Sequence, residues 1–115
     1  MVRIERDVKA EIKHLLEVDL SAWHYMPVPN GYGKKGVPDH IACVPLEITS
    51  DMVGSKVGVF VGIEAKQLGK SANAHQLYQL DSIAAARGMA FVIDGTEAEE
   101  GNFASVKQTL LTTFR

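Results

Sequence analysis

The chain lacks the features that mark proteins for export, for membranes or for thiolate metal chemistry. Cys43 is the only cysteine, so neither an intrachain disulfide nor a thiolate metal cluster can form. No apolar run approaches the length of a membrane span, and the N-terminus has no apolar signal core. We therefore expect a cytoplasmic protein that does not bind membranes, with Cys43 as a small buried apolar side chain.

The chain also lacks an excess of positive charge. Its net charge of −2 argues against a protein held on nucleic acid mainly by its overall field, but leaves a local basic surface open. Lys34 and Lys35 lie just before one acidic motif, whereas Lys66 and Lys70 lie in and after a second one. Positive charge therefore gathers in sequence around two candidate acidic groups.

Length and hydrophobic pattern predict a single α/β domain over residues 1–115. The pattern predicts helices over about 4–18, 74–87 and from about 102, and strands over 22–28, 38–46, 57–66 and 89–94. The second and third strands are expected to pair as an antiparallel hairpin, and the middle helix to cross over between strands. Ser71 or Asn73 is expected to cap that helix, and Gly88 to end it.

The third predicted strand has two different faces. Its odd positions, from Val57 to Ala65, are apolar and are expected to face the core. Its even positions include Gly58 and Gly62, followed by Glu64 and Lys66 at the end of the strand. Glycines on this face predict the close approach of a ligand or of another backbone.

Two short motifs carry the candidate chemistry. Pro38-Asp39 supplies one carboxylate, and Glu64-Ala65-Lys66 supplies a second carboxylate and an ammonium on one strand face. Carboxylates within about 4 Å repel by roughly 4 kcal/mol at an effective dielectric near 20, so such a site needs a cation. Acidic oxygen ligands favour Mg²⁺ or Mn²⁺. The competing interpretation is a Pro-Asp turn and a separate surface ion pair.

Zinc is a weaker possibility, because the four histidines show neither paired metal spacing nor a cysteine partner. His75 is interpreted as a surface residue. Trp23 and Tyr25 are interpreted as core aromatics rather than as platforms for unpaired bases.

The motifs together resemble a known nuclease family. The segments Gly36-Val37-Pro38-Asp39, Gly62-Ile63-Glu64-Ala65-Lys66 and His75-Gln76 are similar to the virus-type replication-repair nuclease domain, VRR-NUC, of the PD-(D/E)XK nuclease superfamily. The resemblance implies a restriction-endonuclease-like αβββαβ core, with a mixed sheet flanked by helices. It also implies roles for particular residues: Asp39 and Glu64 as metal-binding carboxylates, the backbone carbonyl of Ala65 as a further metal ligand, Lys66 as the catalytic lysine, and Gln76 as a contact to metal-bound water or phosphate.

The first helix offers one more acid. Glu5-Arg6 is similar to the Glu-Arg pair that opens the archaeal Holliday-junction resolvases, in which the glutamate serves the metal site. Glu11 is the rival, and it lies about 240° around the helix from Glu5, so both cannot face one ion. Glu5 is the preferred candidate over Glu11 and over the alternative that both are solvated.

The function implied by the resemblance is a Mg²⁺-dependent deoxyribonuclease, with Mn²⁺ able to substitute. Stand-alone members of the family act as homodimers on branched DNA such as Holliday junctions, and the resemblance also implies a phage or prophage origin. Lys34, Lys35, Arg6 and Lys70 are candidate DNA contacts, although basic side chains are often merely exposed. The alternatives are a nucleic-acid-binding or assembly module without turnover, and a structural α/β protein with a fortuitous motif.

Overall fold

The computed structural model of the chain describes residues 4–28, 36 and 38–114. These residues form helices together with parallel and antiparallel strand pairs, which confirms the α/β class. The chain divides into two compact units, Met1–Gly58 and Val59–Arg115, named here the N-terminal and the C-terminal unit. A single domain over 1–115 stays a prediction. Within the described ranges, no helix has both the length and the apolar character that a membrane span requires.

The N-terminal unit joins a helix to an antiparallel strand pair. Helix α1 spans Glu5–His14 and continues as a π-helical turn over Leu15–Asp19, close to the predicted helix end. Strand β1 (Trp23–Tyr25) pairs with strand β2 (Ile41–Cys43). Both strands are shorter than the pattern predicted. Cys43 is 5% exposed, which confirms it as a buried small side chain.

The C-terminal unit is a parallel strand pair with a crossover helix and a final helix. Strand β3 (Val61–Lys66) pairs in parallel with strand β4 (Met89–Asp94), and helix α2 (Ala74–Ala85) connects them. Parallel neighbours need a connection of a dozen or more residues, which the segment containing α2 provides. Helix α3 (Phe103–Thr113) contacts β4. The predicted crossover role of α2 is therefore confirmed.

Both ends of α2 are closed by local hydrogen bonds. Asn73 is the N-cap, as predicted, and its side chain accepts a hydrogen bond from the backbone N–H of Gln76. At the C-terminus, the backbone N–H groups of Arg87 and Gly88 donate to carbonyls of the last helical turn. The left-handed residue there is Arg87, with φ of 73°, and not the predicted stop Gly88.

The predicted hairpin between strands 38–46 and 57–66 is wrong. Strand β2 takes β1 as its partner, and strand β3 takes β4. The connecting residues, although apolar in part, are not buried by strand pairing: Leu46, Ile48 and Val57 are between 61% and 74% exposed. Alternating apolar residues predict extended backbone but do not specify which strand will be the neighbour.

The predicted orientation of β3 is also wrong, because helix α2 packs on the face that carries the glycines. A Cβ atom at Gly62 would lie 2.8 Å from Cδ1 of Ile83, a residue of α2 that is 5% exposed. On the opposite face, Ile63 is 48% exposed. Gly62 therefore allows the helix to approach the strand.

This contact predicts a specific loss of stability. Gly62→Ala should lower the free energy of unfolding by about 1–3 kcal/mol, because the added methyl overlaps Ile83 Cδ1. Ile83→Val deletes that atom and should recover part of the loss in the double variant. Urea denaturation measures each difference.

Gly58→Ala is the matched control, since a Cβ atom there meets nothing within 4 Å. It should change stability by less than about 0.5 kcal/mol. Equal stability of Gly62→Ala and the wild type would contradict the packing described.

Candidate functional site

Strand β3 brings Glu64 and Lys66 to one face, as their two-residue spacing predicts. The Lys66 ammonium lies 3.6 Å from Oε1 of Glu64, and the two side chains are 21% and 32% exposed, respectively. The pair is therefore partly shielded from solvent. Both residues lie on the α2 side of the strand, which is the face that also carries Gly62.

Helix α2 adds Gln76 to this pair. The Nε2 atom of Gln76 donates a hydrogen bond of 2.8 Å to Oε1 of Glu64. Its Oε1 atom accepts a 2.9 Å hydrogen bond from the backbone N–H of Asn73. Since a carboxylate only accepts and a backbone N–H only donates, these two partners fix which end of the amide points to Glu64. Gln76 is thus held by the helix cap in the orientation that reaches the acid.

The side chains of Glu64 and Gln76 line an open groove of about 330 Å³ between β3 and α2. Its lining combines the apolar side chains of Ile63, Leu80 and Ile83 with amide, imidazole and carboxylate groups. Its lining residues are Gly62, Ile63, Glu64, His75, Gln76, Gln79, Leu80 and Ile83. His75 is exposed, as predicted, but it also lines this groove, which the sequence pattern did not indicate.

The groove contains one carboxylate, that of Glu64. Both contacts to Glu64 are made to Oε1, and Oε2 takes part in neither. Among the described residues, no group of three or more histidine, cysteine, aspartate or glutamate side chains stands close enough to hold a metal. Magnesium keeps several waters and often binds through only one or two carboxylates, so it does not require such a group.

The other predicted metal ligands are placed as follows. Asp39 lies in the N-terminal unit, exposed in a bend just before β2. Glu5 lies in the first turn of α1, is 77% exposed and pairs with Lys9 of the same helix at 3.5 Å. Glu11 is exposed on the same helix. Ala65 lies in β3 with Ile93 as its register partner. The metal-binding roles of these residues stay predictions.

The predicted DNA-contacting residues are only partly within the described chain. Arg6 is exposed on α1, and Lys70 is exposed in the turn after β3. Lys34 and Lys35 lie outside the described residues. A role in DNA binding stays a prediction for all four.

One supporting network was not predicted from the sequence. Asp94 is the register partner of Lys66, and its carboxylate accepts hydrogen bonds from the backbone N–H groups of Asn102, at 2.9 Å, and Gly69, at 3.3 Å. The hydrogen bond from Asn102, and to a smaller extent the one from Gly69, holds the pKa of Asp94 below its ordinary value of 3.8. Burial acts in the opposite direction and has a smaller effect. The network ties the turn that follows Lys66 to the start of α3.

The Gln76 contact predicts a pH-dependent variant. Gln76→Glu keeps an oxygen for the helix cap but places a second carboxylate beside Glu64. Repulsion should lower the free energy of unfolding by about 1–2 kcal/mol at pH 7, and this loss should be smaller at acid pH, where the introduced carboxyl is protonated. Thermal unfolding at neutral and at acid pH measures the effect.

Gln108→Glu makes the same chemical change on α3, where the glutamine contacts Thr112. It should show no comparable dependence on pH. If both variants respond alike, the orientation assigned to Gln76 is incorrect.

Asp94 predicts a second pH dependence. Because its pKa is lower in the folded state than in the unfolded chain, its stabilisation is present above about pH 4 and is lost as the pH falls through 3.8 toward the folded-state pKa. Asp94→Asn should therefore be less stable than the wild type at pH 7, and the gap should narrow below pH 4. Asp81→Asn, at an exposed position of α2, is the control and should show no such gap. A constant gap for Asp94→Asn from pH 2 to pH 7 would contradict the assignment.

Comparisons of the chain with protein-family models, with curated proteins and with solved structures found no match. The function is therefore argued from the residues and their geometry.

Proposed function

We propose that the protein is a metal-dependent deoxyribonuclease that hydrolyses phosphodiester bonds. The observation that carries this proposal is the convergence of Lys66 Nζ and Gln76 Nε2 on Oε1 of Glu64, beside an open groove. A carboxylate that can hold a metal ion, in contact with an ammonium and an amide donor, suits phosphoryl transfer assisted by a bound metal.

The order of elements supports the same proposal. Helix α1, strands β1, β2 and β3, helix α2 and strand β4 follow each other in the order αβββαβ. This is the order of the restriction-endonuclease-like core that the motif resemblance implies, and β3 and β4 are parallel neighbours across α2. We include that core in the proposal.

The groups have distinct tasks in the proposed reaction. Glu64, with Asp39 and the carbonyl of Ala65, would hold Mg²⁺, which when bound polarises a phosphoryl oxygen and makes water more acidic. Lys66 has three N–H donors, so its contact to Glu64 leaves others to neutralise charge that develops on the phosphate. Gln76 holds the Glu64 carboxylate in one orientation while the phosphate binds.

Branched DNA such as a Holliday junction is the proposed substrate. One chain carries one set of these residues, so paired incisions on two strands need two subunits, and we include a homodimer in the proposal. Lys34, Lys35, Arg6 and Lys70 would contact phosphates, which position the protein without reading the sequence. Glu5 would serve the metal site from α1.

The proposal predicts a cleavage reaction that depends on particular side chains. Purified protein with Mg²⁺ should cut a four-way junction faster than linear or flapped DNA of the same sequence. Lys66→Ala should lower kcat by at least about 100-fold, because it removes charge stabilisation of the transition state. Asp39→Asn should also abolish cleavage.

Lys56→Ala is the matched control, at an exposed lysine that lies in the sequence between β2 and β3, and it should cut like the wild type. Circular dichroism should show that every variant keeps its secondary structure. Cleavage by Asp39→Asn and Lys66→Ala at the wild-type rate would overturn the site. Junction binding without cleavage in any divalent cation would favour the binding-module alternative.

A further inference from the structure

Three side chains of the N-terminal unit form a hydrogen-bonded chain, named here the histidine relay: Glu17, His24 and His40. Glu17 Oε2 lies 2.9 Å from Nδ1 of His24, and Nε2 of His24 lies 2.7 Å from Nδ1 of His40. The imidazole planes are 21° apart and the ring centroids are 4.9 Å apart. Rings that are nearly coplanar at this distance are suited to a linear N–H···N bond between their edges.

The partners of the relay fix the tautomers of its two rings when both imidazoles are neutral. A carboxylate only accepts, so Nδ1 of His24 is the donor to Glu17. In a neutral imidazole the other nitrogen is then an acceptor, and Nδ1–H of His40 donates to it. In this tautomer, Nε2 of His40 carries a lone pair and no hydrogen. That atom is buried and has no hydrogen-bond partner among the described residues.

The relay ties three elements together. Glu17 lies in the π-helical turn, His24 lies in β1, and His40 directly precedes β2. The His24 side chain is only 3% exposed, and its backbone is fixed by the register pair with Ala42. The His40 ring is thus bound by His24, which is itself fixed by Glu17 through its side chain and by the register with Ala42 through its backbone.

The residue next to His40 is Asp39, whose carboxylate is exposed. On its other side is Pro38, whose ring fixes the backbone dihedral φ. Asp39 thus lies between a residue whose φ is fixed and a residue whose side chain is anchored, and both neighbours restrict the paths open to its backbone. A carboxylate on such a segment is pre-oriented for a ligand and loses little entropy on binding.

A purely structural purpose explains the relay poorly. Apolar side chains at positions 24 and 40 would bury the same region without leaving an unpaired nitrogen. In metal sites, a hydrogen bond from an imidazole N–H to a carboxylate or similar acceptor fixes the orientation of the histidine that binds the metal. In the relay, bonds of the same kind fix the ring of the residue next to Asp39.

We propose that Glu17, His24 and His40 are positioning residues that hold the Asp39 carboxylate in the orientation that binds a divalent cation. This inference rests on the proposed function, since it takes Asp39 as a metal ligand. The three residues act through the backbone of the segment 38–40 and do not touch the substrate.

The test measures the dissociation constant of Mn²⁺ by calorimetry, on the full chain and without DNA. His40→Leu and Glu17→Ala each break the relay and should weaken Mn²⁺ binding by about 10-fold or more. His40→Asn keeps an N–H donor near the position of Nδ1, and Glu17→Gln keeps an acceptor, so both should recover most of the affinity. Such rescue is not expected of residues that only fill space.

Cys43→Ala is the control for general destabilisation, because Cys43 is buried in β2 of the same unit. It should lower the midpoint of thermal unfolding while leaving the Mn²⁺ affinity unchanged. If His40→Leu weakens binding no more than Cys43→Ala, the positioning role is overturned. If His40→Leu does not fold, the Mn²⁺ affinity of Glu17→Ala tests the positioning role instead. Glu17 is 42% exposed, so its truncation disturbs the core least.

Asp39→Asn separates this inference from the proposed function. One possible result is that Asp39→Asn loses Mn²⁺ binding while His40→Leu and Glu17→Ala keep the wild-type affinity. That result would overturn the positioning role of the relay but not the role of Asp39 as a metal ligand. Unchanged Mn²⁺ binding in Asp39→Asn would overturn the metal site itself, and the relay's proposed role with it.

Discussion

The amide of Gln76 is the contact on which the candidate site depends. One end of the amide closes the first turn of α2 through Asn73, and the other end binds Glu64 on β3. The amide is planar and both ends are engaged, so the helix start and the carboxylate are held in one geometry. Further along, Ile83 packs against Gly62 and fixes the distance between the same helix and strand. The groove between them is therefore held at two points.

Much of the fold was predictable because it depends on neighbours in sequence. Asn73 caps α2 and Asn102 precedes α3, where the sequence predicts these helices to begin. The orientation of β3 was not predictable in the same way. Alternation separates two faces, but it does not state which of them a helix will cover, and Gly62 decided this by permitting closer packing than Ile63. The pairing of β2 with β1 likewise depends on partners that the local pattern does not specify.

In the candidate site, too, contacts between sequence neighbours were predictable and contacts between distant residues were not. Glu64 and Lys66 share a face because of strand periodicity, and Gln76 reaches them because it lies three residues after the N-cap. In contrast, His24 and His40 are 16 residues apart and meet only through the register of β1 with β2. Asp94 meets the backbone of Gly69 across 25 residues. No spacing rule in the sequence connects such pairs.

The contact between Glu64 and Gln76 spans only 12 residues of chain. Contacts of short sequence separation close small loops, which lose little entropy and form early in folding. Glu64, Lys66 and Gln76 thus belong to one continuous segment, residues 62–83, that also contains the cap of α2. An insertion or deletion outside residues 62–83 therefore leaves the length of the loop that joins Glu64 to Gln76 unchanged.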